Sequence, residues 1–145
     1  MKSICETDYF SERALRLLGH ARFAVSMLNS PKLLRCHELA RVIGLFFELD
    51  VVDGRYGYVE HSWCTFVDDQ ANRDQSKRYI LDPYAVGRLP QVQLIVTDMH
   101  AMIPTKKLYV PKEKRTDIDD ALVGRLYTQL LGVPLLVDKS RPLPR

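Results

Sequence analysis

The first third of the chain carries apolar residues at helical spacing. Over residues 8–28 they recur at three- and four-residue steps, which places them on one face of a helix. The members of this face are Phe10, Ala14, Leu17, Leu18, Ala21, Val25 and Leu28. Pro31 then breaks the pattern, because proline lacks an amide hydrogen and restricts the residue before it. A broader apolar stripe over residues 33–49 predicts a second helix, hydrophobic enough to be buried at the centre of the fold.

After this helix the pattern changes to short apolar runs that are typical of strands. The predicted strands cover residues 51–59, 61–67, 78–81, 91–97 and 108–110. The polar run over residues 68–77 predicts a hairpin loop between the second and the third of them. Gly54 and Gly57 predict a bulge, or a close approach by another group, within the first. Strands joined in this way predict a largely antiparallel sheet.

A last helix is predicted over residues 121–131. Thr116 and Asp119 precede it with the spacing of an N-capping box, with aspartate in place of the usual glutamate. Helices first, then strands, then this helix indicate the α+β class, with the N-terminal helices packed on an antiparallel sheet. Without an internal repeat or a shift in composition, the sequence predicts one domain over residues 1–138 and a basic, proline-containing tail over residues 139–145.

Composition restricts the classes of function. A chain of 145 residues, 46% hydrophobic and 27% charged, is typical of a globular domain that buries a core without metal or disulfide. The net charge of +3 is too small to indicate the concentrated basic face of a nucleic-acid-binding protein. Three cysteines without tight spacing argue against an extracellular disulfide framework. Since no apolar stretch is long enough for a signal or a membrane span, we expect a cytoplasmic protein without a membrane partner.

Three residues occupy positions that a thiol acyl-transfer site requires. Cys36 lies near the predicted start of the second helix, where unpaired amide hydrogens and Arg35 would stabilise a thiolate. His61 opens the second predicted strand and Asp82 closes the third, and a hairpin brings these two ends together. An imidazole there can take the proton of the thiol while the carboxylate orients it. Singly, each residue also fits an ordinary structural role: a buried cysteine, an edge histidine and an Asp-Pro turn.

The neighbours of these three residues are the expected substrate-binding and oxyanion groups. Trp63 shares a face of its strand with His61, where an indole can exclude water and orient the imidazole. The expected substrate-binding side chains are Trp63, Arg35, Tyr58 and Tyr84. The backbone amide of Cys36 is the expected first oxyanion donor. The side chain of Asn29, or the region of Arg35, is the expected second donor.

These segments resemble the core of the transglutaminase-like cysteine peptidase superfamily. That family has a cysteine that opens a helix, His-x-Trp at a strand start and a strand that ends in Asp-Pro. The matching residues here are Cys36, His61, Trp63, Leu81, Asp82 and Pro83. The resemblance covers about residues 33–84. It implies a papain- or transglutaminase-like core without a cofactor, in which Cys36 is the nucleophile, His61 is the general base and then acid, and Asp82 orients it.

By this resemblance the chain is a thiol-dependent acyl-transfer enzyme whose substrate is a peptide or protein amide. Hydrolysis, as in a peptidase, amidase or deamidase, is favoured over cross-linking, because cross-linking needs a second cleft for an amine. Residues 36–39 are also similar to a motif of the arylamine N-acetyltransferases, which are longer chains. A further alternative is a non-catalytic protein-binding module that keeps the fold. The pattern favours no particular oligomeric state.

A zinc site is the remaining alternative, since Cys36, His37, His61 and Cys64 supply two thiols and two imidazoles. Cys36 and His37 are adjacent, and neighbouring side chains on a helix diverge by roughly 100 degrees. Cys64 follows His61 by three residues on a strand, which places the two side chains on opposite faces. The sequence therefore favours the thiol site, and no metal ligand is expected.

Overall fold

The structure, a computed structural model, describes residues 10–28, 34–68, 77–84, 92–96 and 109–136. Within these ranges the helices are α1 (Glu12–Met27), α2 (Cys36–Phe47) and α3 (Asp120–Leu131). The strands are β1 (Asp50–Tyr56), β2 (Val59–Asp68), β3 (Lys77–Asp82), β4 (Gln93–Val96) and β5 (Tyr109–Pro111). The predicted tail, residues 139–145, and most of the predicted hairpin loop, residues 69–76, lie outside the described residues. No helix in the described ranges combines the length and the apolar character that a membrane span needs.

The two predicted N-terminal helices are present, and capping residues determine where they begin and end. α1 begins one turn later than predicted because Ser11 caps it, accepting a hydrogen bond from the amide of Ala14 at 3.0 Å. α2 begins at Cys36 and is terminated by Glu48, which adopts the left-handed conformation with a φ of 59°. The fully buried residues of α2 include Leu39, Val42, Ile43 and Phe46. This burial confirms that the second helix is the central one.

The five strands form one antiparallel sheet in the order β4-β3-β2-β1-β5, which confirms the α+β class. α2 packs on β1 and β2 and on α3, while α1 contacts β4. The main apolar core lies between the helices and the sheet. Because side chains alternate along a strand, other sheet residues form a second, smaller cluster of Trp63, Ile80 and Tyr109.

The prediction of a single first strand over residues 51–59 is wrong, because this segment contains the β1–β2 hairpin. Gly57 has a positive φ of 62°, which glycine reaches without steric cost. With Tyr58 it forms a two-residue turn between Tyr56 and Val59, which pair directly. β2 therefore begins earlier than predicted, and His61 is its third residue rather than its first.

The predicted capping box ahead of the last helix is also wrong. Asp119, rather than Thr116, caps α3, and its side chain accepts a hydrogen bond from the amide of Leu122 at 3.0 Å. The amide of Asp119 itself donates to the buried carboxylate of Glu38 at 3.1 Å. This long-range contact anchors the start of α3 to α2, and it places the cap three residues later than the local pattern indicates.

Among the glycines that the structure describes, Gly54 is the one whose replacement should disturb this fold most. A Cβ atom there would lie 2.1 Å from the carbonyl oxygen of Val110 and 2.9 Å from the indole of Trp63. We expect Gly54→Ala to lower the free energy of unfolding by about 3 kcal/mol, measured by urea denaturation. The control is Gly124→Ala in α3, where nothing lies within 4 Å and alanine should stabilise the helix by up to about 1 kcal/mol. Equal effects of the two changes would contradict this packing.

Candidate active site

Cys36 is the first residue of α2 and is half-buried. The residue before it, Arg35, is the N-cap residue of the helix and makes no side-chain capping hydrogen bond. The first amide groups of α2 therefore have no acceptor from the cap, and their partial positive charge lies next to the sulfur. This position suits a sulfur nucleophile, and the amide of Cys36 is a candidate oxyanion donor.

The predicted neighbours His61 and Asp82 are in direct contact. Nε2 of His61 lies 2.7 Å from Oδ2 of Asp82, and the two residues are only 2% and 0% exposed. Tyr109 donates its hydroxyl to the same carboxylate oxygen at 2.8 Å. The amide of Tyr84 donates to the other carboxylate oxygen at 3.0 Å. With both oxygens engaged, the carboxylate is held in one orientation against the imidazole.

Aromatic rings enclose the imidazole of His61. The ring of Trp63 stacks on it at a centroid distance of 6.1 Å and an interplanar angle of 27°. The rings of Tyr56 and Tyr109 lie at 6.2 and 6.4 Å. Trp63 is only 2% exposed, so it supports the histidine from behind instead of contacting a substrate, which corrects its expected role. These rings separate the His61–Asp82 contact from water.

The hydrogen bonds of His61 determine its protonation. Burial by itself lowers the pKa of His61, but the hydrogen bond to Asp82 and the neighbouring thiol of Cys36 outweigh burial and raise the pKa to about 9. Because Nε2 faces Asp82, the nitrogen that remains for another partner is Nδ1. The imidazole is thus held by the carboxylate and is protonated at neutral pH.

Cys36 and His61 line an open cavity of about 720 Å³. The other lining residues are Leu34, Arg35, His37, Val59, Glu60 and Tyr84. Two of the expected substrate-binding residues, Arg35 and Tyr84, are thus in place. Tyr58 is not, because the hairpin turn directs it into solvent, where it is 100% exposed. Asn29, the expected second oxyanion donor, lies outside the described residues.

Arg35 faces the cavity, but its guanidinium is already paired. It donates to Glu38 at 2.8 Å and to Asp117 at 3.2 Å. Asp117 also accepts from Arg115 at 2.7 Å, and Arg115 donates to Glu60 at 2.9 Å. This chain of alternating charges connects the start of α2, the segment before α3 and β2 along one rim of the cavity. The charge of Arg35 therefore stabilises the rim, in contrast to the expected role beside the thiol.

A second polar network, on the side of β2 that faces α2, was missed by sequence reasoning. Nδ1 of His37 lies 2.7 Å from the hydroxyl oxygen of Ser62, which donates to Asp53 at 2.5 Å. Arg41 donates to both oxygens of Asp53, at 3.0 and 2.6 Å. Burial raises the pKa of Asp53, but the hydrogen bonds from Arg41 and Ser62 hold it at about 2. Strand alternation is the signal for this network, since Ser62 must face away from His61.

The proposed zinc ligands do not converge. Cys64 donates its thiol to the carbonyl of Ala40 at 3.2 Å inside the core, on the opposite face of β2 from His61, as the alternation predicted. Among the residues that the structure describes, no group of three or more His, Cys, Asp or Glu side chains is arranged to hold a metal ion. Cys64 therefore shares no site with His61.

The two described cysteines should differ sharply in reactivity. We expect iodoacetamide to alkylate Cys36 in the native protein, while Cys64 stays unmodified until the protein unfolds. Cys64 is fully buried, and this burial raises the pKa of its thiol. Peptide mapping by mass spectrometry after timed exposure measures both sites, with urea-unfolded protein as the control. Alkylation of Cys64 at the rate of Cys36 in the native protein would contradict the placement of both thiols.

Comparison of the chain with models of known protein families, with curated proteins and with solved structures gave no match. The chemistry of this site therefore rests on its own geometry.

Proposed function

We propose that this protein is a thiol-dependent acyl-transfer enzyme of the transglutaminase-like type, with Cys36 as nucleophile, His61 as acid and base, and Asp82 as the orienting carboxylate. The observation that carries the proposal is the buried 2.7 Å contact between His61 and Asp82, beside a cavity that also exposes Cys36. A thiol at a helix N-terminus, an imidazole and a carboxylate that orients it are the groups that such chemistry requires.

The order of these residues along the fold supports a papain- or transglutaminase-like core. The cysteine opens α2, the histidine lies on β2 and the aspartate ends β3. Cys36, at the N-terminus of α2, and His61, on β2, line the same cavity. The resemblance implies this same order of cysteine helix, histidine strand and aspartate strand.

The reaction begins when Sγ of Cys36, whose proton is held by His61, attacks the carbonyl carbon of an amide, while the amide hydrogen of Cys36 binds the oxygen that becomes negative. His61 is protonated at neutral pH because its pKa is raised to about 9, and it gives this proton to the leaving nitrogen. The C–N bond breaks, the amine leaves and a thioester on Cys36 remains. Water then attacks the thioester carbon and gives its proton to an imidazole of the site, the C–S bond breaks, the electron pair returns to Sγ, and the acid product leaves.

A peptide or protein amide fits the cavity. Its walls include the apolar side chains of Leu34, Val59 and Tyr84. The two charged side chains on the rim, Arg35 and Glu60, are each paired within the protein. The walls thus offer apolar contacts, as an extended chain segment requires, instead of an unpaired charge that would select an ion. We propose water as the acceptor because the cavity is open to solvent.

The test is covalent capture of Cys36. The protein is incubated with a panel of amide and ester probes, and intact-mass and peptide-mass spectrometry locate any adduct. We expect an acyl adduct on Cys36 in the wild type, none in Cys36→Ala, and a much slower one in His61→Asn. Circular dichroism of each variant verifies that the fold is retained.

Two outcomes would count against the enzyme. Full turnover by Cys36→Ala would reject Cys36 as the nucleophile. An intact fold that forms no adduct with any probe would favour a non-catalytic binding module instead.

A further inference from the structure

A second histidine lies against the reactive sulfur and has no part in the mechanism above. His37 is 7% exposed and lines the cavity with Cys36 and His61. Sγ of Cys36 lies 3.7 Å from Nδ1 and 4.0 Å from Nε2 of His37. The cavity beside the sulfur is therefore lined by two imidazoles, those of His37 and His61.

The partners of His37 decide which of its nitrogens carries the proton. Asp53 is ionised, and a carboxylate only accepts, so the hydroxyl hydrogen of Ser62 is committed to Asp53 at 2.5 Å. The oxygen of Ser62 can then only accept from Nδ1 of His37 at 2.7 Å. Nδ1 is thus the protonated nitrogen, and Nε2 of the neutral ring keeps its lone pair.

Arg41 and the segment before α3 keep this arrangement rigid. Arg41 binds Asp53 through two nitrogens, and the amide of Arg115 donates to the same carboxylate at 2.9 Å. Burial, followed by the positive charges of Arg115 and Arg35, lowers the pKa of His37, while the carboxylates of Glu38 and Asp53 oppose this. The imidazole is therefore neutral where that of His61 is charged.

This difference matters in the second half of the reaction. The leaving group of an activated ester departs as an anion and takes no proton, so acylation does not consume the imidazolium of His61. Acylation removes the contribution of Cys36 to the raised pKa of His61, but the contact with Asp82 remains and still favours the imidazolium. An imidazolium cannot accept the proton of an attacking water. His37 offers the other ring nitrogen near the sulfur, and it carries a free lone pair.

We propose that His37 is a second catalytic histidine, the general base that activates the acyl acceptor during deacylation. The inference rests on the proposed thiol mechanism and assigns its second half. Water attacks the thioester carbon and forms the new C–O bond, while its proton passes to Nε2 of His37. The C–S bond then breaks, the electron pair returns to Sγ of Cys36, and His37 releases the proton to solvent. With an amide substrate, His61 has given its proton to the amine and can itself accept one, so an activated ester is the substrate that isolates the role of His37.

The test uses p-nitrophenyl acetate and His37→Asn. The amide nitrogen of asparagine can take the place of Nδ1, so this change keeps a donor for Ser62 and removes Nε2. We expect the wild type to release p-nitrophenol in continuous turnover. His37→Asn should keep the initial burst of about one equivalent per chain, but its steady rate should fall about 100-fold. Intact-mass spectrometry should show the acetyl group accumulating on Cys36.

Chemical rescue separates a base from a structural residue. Hydroxylamine attacks thioesters as a neutral amine and has little need of a base. It should therefore deacylate His37→Asn at nearly the rate found for the wild type. Ser62→Ala is the second variant, because it keeps the imidazole but removes the acceptor that selects its tautomer. We expect its steady rate to fall about tenfold with the burst unchanged.

The two proposals fail in different ways. If the wild type releases no p-nitrophenol beyond the rate of Cys36→Ala, and no variant forms acetyl-Cys36, the thiol mechanism itself is wrong. If the wild type turns over and His37→Asn matches it in steady rate, the role of His37 is wrong while the thiol mechanism stands. Loss of the burst and the steady rate to the same extent, without rescue by hydroxylamine, would make His37 a structural residue. Should His37→Asn fail to fold, the burst and steady rate of Ser62→Ala decide the matter.

Discussion

Asp82→Asn should lower kcat/KM for an amide substrate by about 10³- to 10⁴-fold while the fold is retained. The carboxylate of Asp82 accepts from Nε2 of His61 at 2.7 Å, which leaves Nδ1 for the sulfur. An asparagine amide presents a donor to Nε2, so the ring takes the tautomer with its hydrogen on Nδ1. The substitution also removes the negative charge that stabilises the imidazolium. The measurement is kcat and KM, determined with the best probe from the adduct screen.

The matched control is Tyr109→Phe. Tyr109 donates to the same oxygen of Asp82 at 2.8 Å, but it does not orient the imidazole directly. Its removal takes away one hydrogen bond to the carboxylate but leaves the contact with His61 in place, so we expect a loss of no more than about tenfold in kcat/KM. An Asp82→Asn protein within tenfold of the wild type would show that the carboxylate is a structural group only.

The activity should decline in alkaline solution with a midpoint near pH 9. In the proposed mechanism His61 is the acid that protonates the leaving nitrogen, so the protonated form is the active one. Its pKa is raised to about 9, which means that the acid is present at neutral pH and is lost as the pH rises through 9. Above that value kcat/KM should fall about tenfold for each pH unit, as the imidazolium fraction does.

The variant Asp82→Asn should move this alkaline limb to lower pH, because the hydrogen bond that opposes the effect of burial is gone. Nuclear magnetic resonance titration of the His61 ring in the wild type should give the same midpoint as the rate. A limb that does not move in the variant, or a ring that titrates near pH 6.5, would contradict the role assigned to the His61–Asp82 contact.

The contact between His61 and Asp82 was predictable because it depends only on the pairing of two neighbouring strands. Both residues belong to strands that neighbour each other along the chain, and one hairpin decides their distance. Cys36 was also predictable in part, since a helix start can be read from apolar spacing. The position of the β1–β2 turn does not follow from the pattern. Gly57 lies inside a run of strand-forming residues, where a glycine indicates a bulge as well as a turn.

The contacts that the sequence did not predict join segments that are distant along the chain. Tyr109 reaches Asp82 from β5, which joins the far edge of the sheet next to β1. Asp119 caps α3 because Glu38 of α2 holds its amide. Arg115 ties β2 to the segment before α3 through Glu60. None of these contacts has a local signature, because each one depends on how separate elements pack.

The sequence by itself determined the class of the fold, the central helix and the three residues of the proposed thiol site, because spacing along a helix or strand dictates which side chains share a face. The tertiary structure alone decided the surroundings of that site. In that structure Trp63 packs against the imidazole of His61, and Arg35 forms hydrogen bonds with Glu38 and Asp117. His37 lies beside the sulfur of Cys36. Such placements depend on the distances between packed elements, and a linear pattern does not contain those distances.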